Sequence, residues 1–240
     1  RKDLIDRDTK QYFLTFTQTQ AGIRHQVEES ILQCDMNEET GKLINQLNRD
    51  RVLYLPTASG GVILADTPVK LMQKIQQISS GTVIDEDGNG HILDYAKAEY
   101  IRSHFGSAKI AIYYKFKAEF ELLKKVFPDH TTSPEAFQAG DSKIFLSQFQ
   151  SGREGLRLDE SDAIIFYNID FSYLSYEQAK NRMVSTEREK PARLFWVFNR
   201  NGIEGRIYRV VKSKRNYTVH HYISDYVRKN HTGPNNRNGE

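Results

Sequence analysis

The chain has 240 residues, a formal net charge of +3, 38% hydrophobic and 27% charged residues. This length suits one large domain or two small ones with a real core, and the charge is too mild to define a nucleic-acid binder by itself, leaving room only for local basic patches. Cys34, the single cysteine, excludes an internal disulfide and a multi-cysteine zinc site, so a reducing, intracellular compartment of cytoplasmic or nuclear type is expected. No apolar run approaches the ~18 residues of a membrane span, and "RKDLIDRDTK" is too charged for a signal peptide. Because the chain starts at Arg1, it is expected to be a piece of something longer.

Tyr12–Gln20 ("YFLTFTQTQ") alternates with period two and reads as a strand. Ala21–Leu32 and Lys42–Asn48 read as helices. "VLYLPTASGGVILADTP" is punctuated by Pro56, Gly60, Gly61 and Pro68 and reads as a loop or short hairpin. "VKLMQKIQQISSG" has apolar residues at helical spacing, and "TVIDEDGNGHI" is a hairpin candidate with two turn-forming pairs. From Asp94 the texture changes. Helices over "DYAKAEYIRSHF" and "KAEFELLKKVF" alternate with strands over "KIAIYY", "SKIFLSQF", "DAIIFYN" and "RLFWVFN". A helix around Gln178 precedes the last strand, and the basic helix "GIEGRIYRVVKSKRN" follows it. Such alternation predicts an α/β fold, a parallel sheet with helices on its faces. The expected boundary lies near Gly81–His91, with a smaller, mainly helical region at 1–90, the α/β lobe at 91–217 and an extension at 218–240. The polar "HTGPNNRNGE" tail is expected to be disordered. His220 and His221 are expected in an extended segment on opposite faces, without a metal.

Open α/β sheets bind ligands at the carboxyl ends of their strands, and two segments fall there. In "SQFQSGREGLRLDESD", Gly152 and Gly155 allow close backbone approach, while Ser147, Ser151, Arg153 and Arg157 offer polar contacts. The same residues also fit a plain glycine-rich connection with exposed arginines. In "SYEQAKNRMVSTER", Gln178 and Arg182 share one helix face. Arg188 joins them only if the helix ends or bends near "VST". A guanidinium suits charge developing on a transferred phosphoryl group, and a solvated helix face accounts for the same pattern. Tyr114 and Lys115 end a strand at the ligand-binding edge, where an aromatic ring and a cation could meet nucleic acid. Lys117, Lys212, Lys214 and Arg215 would serve phosphate binding as well. A different class is suggested by Pro128-Asp129, Asp141 and Lys143. Their spacing is that of PD-(D/E)xK nucleases, although a helix stop followed by a turn produces it too.

Five segments in order resemble the second RecA-like lobe of superfamily-two helicases, in the Swi/Snf-like branch and its phage relatives. They are "HILDYAKAEYIRSHF", "KIAIYYKFKAEFELL" (motif four), "LSQFQSGREGLRL" (motif five), "YEQAKNRMVSTER" (motif six) and "GIEGRIYRVVKSK". The resemblance covers about Asp94–Lys214. "QTQAGIRHQVEESIL" and "LMQKIQQISSG" look similar to the linker and helical protrusion that precede this lobe. It implies a RecA-like sheet with Arg182 and Arg188 as catalytic residues and Gly152, Gly155 and Gln178 near the nucleotide. It also implies Tyr114, Lys115, Ser147, Gln148 and Arg153 at DNA or RNA. The family usually has a second motif-six arginine seven residues after the glutamine; Ser185 stands there, and Arg188 follows three residues on. The sequence carries no phosphate loop and no acidic pair after a strand, which the family keeps in its first lobe. ATP and Mg²⁺ are therefore expected mainly on a partner N-terminal lobe, with this chain inactive alone. A non-enzymatic nucleic-acid-binding lobe is the remaining alternative.

Overall fold

The computed structural model describes residues 27–55, 60–149, 158, 161–181 and 192–231. Along the chain come β1 (Val27–Cys34), α1 (Glu38–Asp50), and a hairpin of β2 (Val52–Tyr54) and β3 (Val62–Leu64). Then follow α2 (Pro68–Ser79), a second hairpin of β4 (Thr82–Ile84) and β5 (Gly90–Ile92), and α3 (Ala96–Phe105). The remainder is β6 (Ile110–Tyr114), α4 (Lys117–Val126), β7 (His130–Thr131), α5 (Pro134–Ala139), β8 (Ile144–Gln148), β9 (Ala163–Phe166), α6 (Tyr173–Asn181), β10 (Ala192–Asn199), α7 (Glu204–Lys212) and α8 (Val219–His231).

Six strands pair in the order β1-β10-β9-β6-β8-β7, all parallel. The expected α/β class holds, and the reason is visible in the burial. Ala111, Tyr113, Ile164, Phe166, Leu194 and Trp196 enter one core, whereas Ile110, Ile112, Ala163, Ile165, Phe195 and Val197 enter the other. A strand apolar on both faces needs a helix layer on each side. On the first face the layer includes Leu71, Met72 and Ile75 of α2 with Ile207 and Val211 of α7. On the second it comprises Ala98 and Ile101 of α3 with Leu122, Leu123 and Val126 of α4. The α2 side chains thus share a core with strands that lie downstream of residue 91.

Two readings need correction. Residues 27–32 belong to a strand, not a helix. β1 forms an eight-residue parallel ladder with β10, and Glu29 Oε1 accepts from Tyr176 Oη at 2.7 Å and Trp196 Nε1 at 2.8 Å. An edge strand buries little, so its sequence lacks the apolar run that marks its neighbours. His220 and His221 lie in α8, not in an extended segment; Thr218 N donates to His221 Nδ1 at 3.2 Å, which closes the first turn. The nuclease-like spacing has the helix stop and turn expected of it, α4 ending at Val126 before Pro128 and Asp141 lying in a bend, and β7 and α5 lie between them. Ser133 Oγ accepts from Ala136 N at 3.2 Å, Pro134 begins the helix, and Gly140 ends it at φ 88°. These are the standard start and stop of a short helix. The strand reading of Tyr12–Gln20 and the 232–240 tail lie outside the described residues.

Gly81 joins α2 to β4. Its φ of +87° lies in the left-handed region, and a Cβ there would run into the Asp94 carbonyl. Its own carbonyl accepts from Leu93 N at 2.8 Å and Asp94 N at 3.1 Å, which ties the end of α2 to the start of α3.

Candidate functional site

The carboxyl ends of β6, β8 and β9 meet in one place. Tyr114 pairs with Gln148 in the β6–β8 ladder, and Ser147 stands opposite Tyr113 one position earlier. Phe149 N donates to Tyr114 O at 2.9 Å, and Gln148 Nε2 donates to Lys115 O at 3.0 Å. The turn after β6 is fixed by Glu119, one turn into α4. Its fully buried carboxylate accepts from Lys115 N at 2.7 Å and Phe116 N at 2.9 Å through Oε2, and from Asn168 Nδ2 at 2.6 Å through Oε1. A carboxylate holding the orphan amides of a helix start is favoured by both hydrogen bonding and the helix dipole.

Lys115 points from this turn into a partly buried slot. Nζ donates to Gln76 Oε1 at 3.3 Å, lies 3.8 Å from Asp170 Oδ1, and sits 4.9 Å above the Phe171 ring. Burial pulls its pKa below the ordinary lysine value, while Asp170 and Glu119 act in the opposite direction. Gln76, on α2, is fully buried and also donates through Nε2 to Asn168 Oδ1 at 3.1 Å and to the Ile169 carbonyl. The expected contact cation is therefore held by side chains far away in sequence, and its side chain keeps 21% of its surface exposed.

Beside it opens a cleft of about 650 Å³ lined by Gly88, Gly90, Tyr114, Lys117, Phe120 and Gln148, among others. Tyr114 stacks on Phe120 with ring centroids 5.2 Å apart. An aromatic pair flanked by lysines and a glycine turn offers a flat apolar face and mobile cations, which suits a base and its phosphate.

The structure brings Tyr114, Lys115, Ser147 and Gln148 together. Gln178 lies on α6, which leaves the segment after β9; it is exposed and its side chain makes no hydrogen bond among the described residues. Gly152, Arg153, Gly155, Arg182 and Arg188 lie outside the described residues. Leu158, in register within the motif-five stretch, is buried at 4% exposure. In the nuclease-like set, Lys143 Nζ donates to Ser107 O at 3.3 Å, and the Asp129 carbonyl accepts from Ser142 Oγ at 2.6 Å. Sequence reasoning missed Gln76, Glu119, Asn168 and Asp170. The polar "NID" directly after the apolar "AIIFY" was the signal available for the last two.

Together, the all-parallel order and the helix layers on both faces are consistent with a RecA-like lobe. No family model matches the sequence, and no curated protein matches it. Among solved structures, the crystal structure of the C-terminal part of the Fun30 ATPase domain matches with a TM-score of 0.58 at 12% identity, over 85% of this chain and 96% of that one. The overlap shows a shared fold, and at 12% identity it shows the fold alone. Among the described residues, no helix is long and apolar enough to cross a membrane.

Proposed function

We propose that this chain is the C-terminal lobe of a nucleic-acid-dependent ATPase, a helicase or translocase. The reading rests on the overlap of the fold with nearly the whole of a lobe from another ATPase domain, joined to the cation and aromatic pair gathered at the carboxyl edge. ATP and Mg²⁺ would be held mainly by an N-terminal RecA-like lobe across a cleft, where bound nucleotide supplies the phosphoryl group for transfer to water. The exposed, unengaged Gln178 fits a role at that cleft. Gly152 and Gly155 would let the backbone approach the nucleotide. Arg182, four residues beyond Gln178, would neutralise charge on the γ-phosphoryl group, with Arg188 beside it if the chain bends at Ser185. Tyr114, Lys115, Ser147, Gln148 and Arg153 would follow the backbone of DNA or RNA. The finer placement near phage members of the branch rests on motif spelling alone.

The chain alone should show no ATP turnover, with or without nucleic acid. In a polypeptide carrying both lobes, Arg182→Ala should lower kcat by ~10³–10⁵-fold while leaving ATP binding nearly intact, because such an arginine acts on charge in the transition state. Near-normal turnover of that variant with saturating DNA would defeat the reading.

A further inference from the structure

We infer that the groove between α7 and α8 is a phosphate-binding site, separate from the Lys115 edge. A cavity of about 380 Å³ is lined there by Arg206, Arg209, Val210, Arg215, His220, His221, Ser224 and Asp225. Three arginines therefore line a space whose lining holds a single carboxylate, Asp225, which also accepts from Tyr217 Oη at 3.0 Å. Arg206 is half-buried yet forms no ion pair among the described residues. Among the described residues, the hydrogen bonds of the Arg209 and Arg215 side chains are local ones through Nε, to Gly205 O at 3.4 Å and Ser213 Oγ at 3.2 Å.

Three cations lining a space with one carboxylate leave positive charge unbalanced, and an anion relieves the remaining repulsion. Guanidinium forks match the oxygens of a phosphate group and form the stronger, charge-assisted hydrogen bonds. The walls are also held in place. Tyr217 N donates to Phe171 O at 2.8 Å, Tyr173 N to Asn216 Oδ1 at 2.9 Å, and Tyr222 Oη to Asn48 Oδ1 at 2.7 Å. These bonds fasten the α7–α8 connection and α8 to α6, the segment before it and α1, so the arginines of α7 and the connection face the α8 side chains across a fixed gap. The phosphate could come from a nucleic-acid backbone or from a free phosphate or polyphosphate.

The test follows backbone amide resonances of residues 204–225 in the whole chain, titrated with inorganic phosphate, tripolyphosphate or a single-stranded oligonucleotide. Saturable shifts are expected, weakened about tenfold or more in Arg209→Gln/Arg215→Gln. Both arginines are exposed, and the variant's own spectrum reports whether it has folded. Shifts with the oligonucleotide at phosphate concentrations where the small anions give none identify a nucleic-acid backbone; the reverse identifies a free phosphate, and either result supports the site. With inorganic phosphate or tripolyphosphate, Lys115→Gln should leave the affinity at this groove unchanged, so loss of nucleic-acid binding at that edge is read separately. Absence of saturable shifts with all three probes, or shifts undiminished in the double variant, would overturn the inference.

Discussion

The Lys97–Glu204 pair and the Gln76–Asn168–Glu119–Lys115 cluster both fasten helices to one sheet, but only the second leaves a cation within reach of solvent. Lys97 on α3 meets Glu204 at the start of α7 with Nζ 3.1 Å from Oε1, at 1% and 0% side-chain exposure. The ammonium lies 4.9 Å from the Tyr167 ring centroid, whose hydroxyl donates to Ser80 O at 2.8 Å. Glu204 Oε2 has no hydrogen-bond partner among the described residues, and burial raises the carboxyl pKa against the pull of Lys97. Lys115 faces Asp170 at 3.8 Å, with that carboxylate side chain 42% exposed. A sealed pair has to be complete within the protein, because no water can replace a lost partner. A half-open pair can exchange its weak internal carboxylate for an incoming phosphate. The difference separates a part of the fold from a part of the surface that a ligand can use.

The sharpest way to break this contrast is to remove one member of the sealed pair. Lys97→Ala leaves a carboxylate buried without its cation and should lower stability by about 3–5 kcal/mol. Lys97→Met with Glu204→Leu removes both charges at similar volume and should recover most of that loss, since desolvation offsets much of a buried pair's attraction. Urea unfolding of the single and double variants measures both. A single-variant loss under about 1 kcal/mol would mean that water reaches the pair and that the two clusters do not differ in kind.

Cys34 reports the same seal by a smaller effect. Its Sγ donates to Asn199 Oδ1 at 3.4 Å, and burial pushes the thiol pKa up to about 11, with Lys97 opposing and Glu204 adding to the rise. The thiolate is the reactive form, so near pH 8 its population should fall about 100-fold below that of an ordinary cysteine. Alkylation of the folded protein should be slower than that of the unfolded chain by at least that factor. The rate should climb with pH towards 11 for as long as the fold holds. Equal rates in folded and unfolded protein would show that this end of the sheet opens readily.

The lobe was legible where burial is two-sided. "KIAIYY", "SKIFLSQF", "DAIIFYN" and "RLFWVFN" carry continuous apolar runs because both faces of those strands are covered. β1 was not legible, because its identity comes from pairing with β10, some 160 residues away, and its residues 28–33 stay partly or fully exposed. α5 and β7 are too short for periodicity to register. At the site, the cation at the end of β6 could be read as a contact, since a strand end followed by Lys115 is a local pattern. Its partners Gln76 and Asp170, and the pairing of Lys97 with Glu204, link positions with no local signature. The fold brings these together only when the helices dock, so no motif could announce them.

The smallest expected change in stability is at Lys115, and it carries the functional half of the contrast. Its ion pair is long and partly solvated, so Lys115→Gln should change stability by no more than about 1 kcal/mol. If the side chain meets a nucleic-acid phosphate, the same variant should bind single-stranded DNA about tenfold more weakly at low salt, and the slope of log affinity against log salt should fall by about 0.7. The pH dependence adds an independent sign. Burial holds the Lys115 pKa below the ordinary lysine value, so the ammonium is present at neutral pH and lost earlier than elsewhere as pH rises. Wild-type affinity should therefore decline on the alkaline side before ordinary lysines titrate. Lys115→Arg, charged throughout, should lack that decline, and Lys115→Gln should start low and stay flat. If Lys115→Gln instead destabilises the lobe by several kcal/mol and leaves the salt slope unchanged, then Lys115 belongs with Lys97 as an internal fastening, and the carboxyl edge meets nucleic acid through Tyr114, Lys117 and Gln148 without it.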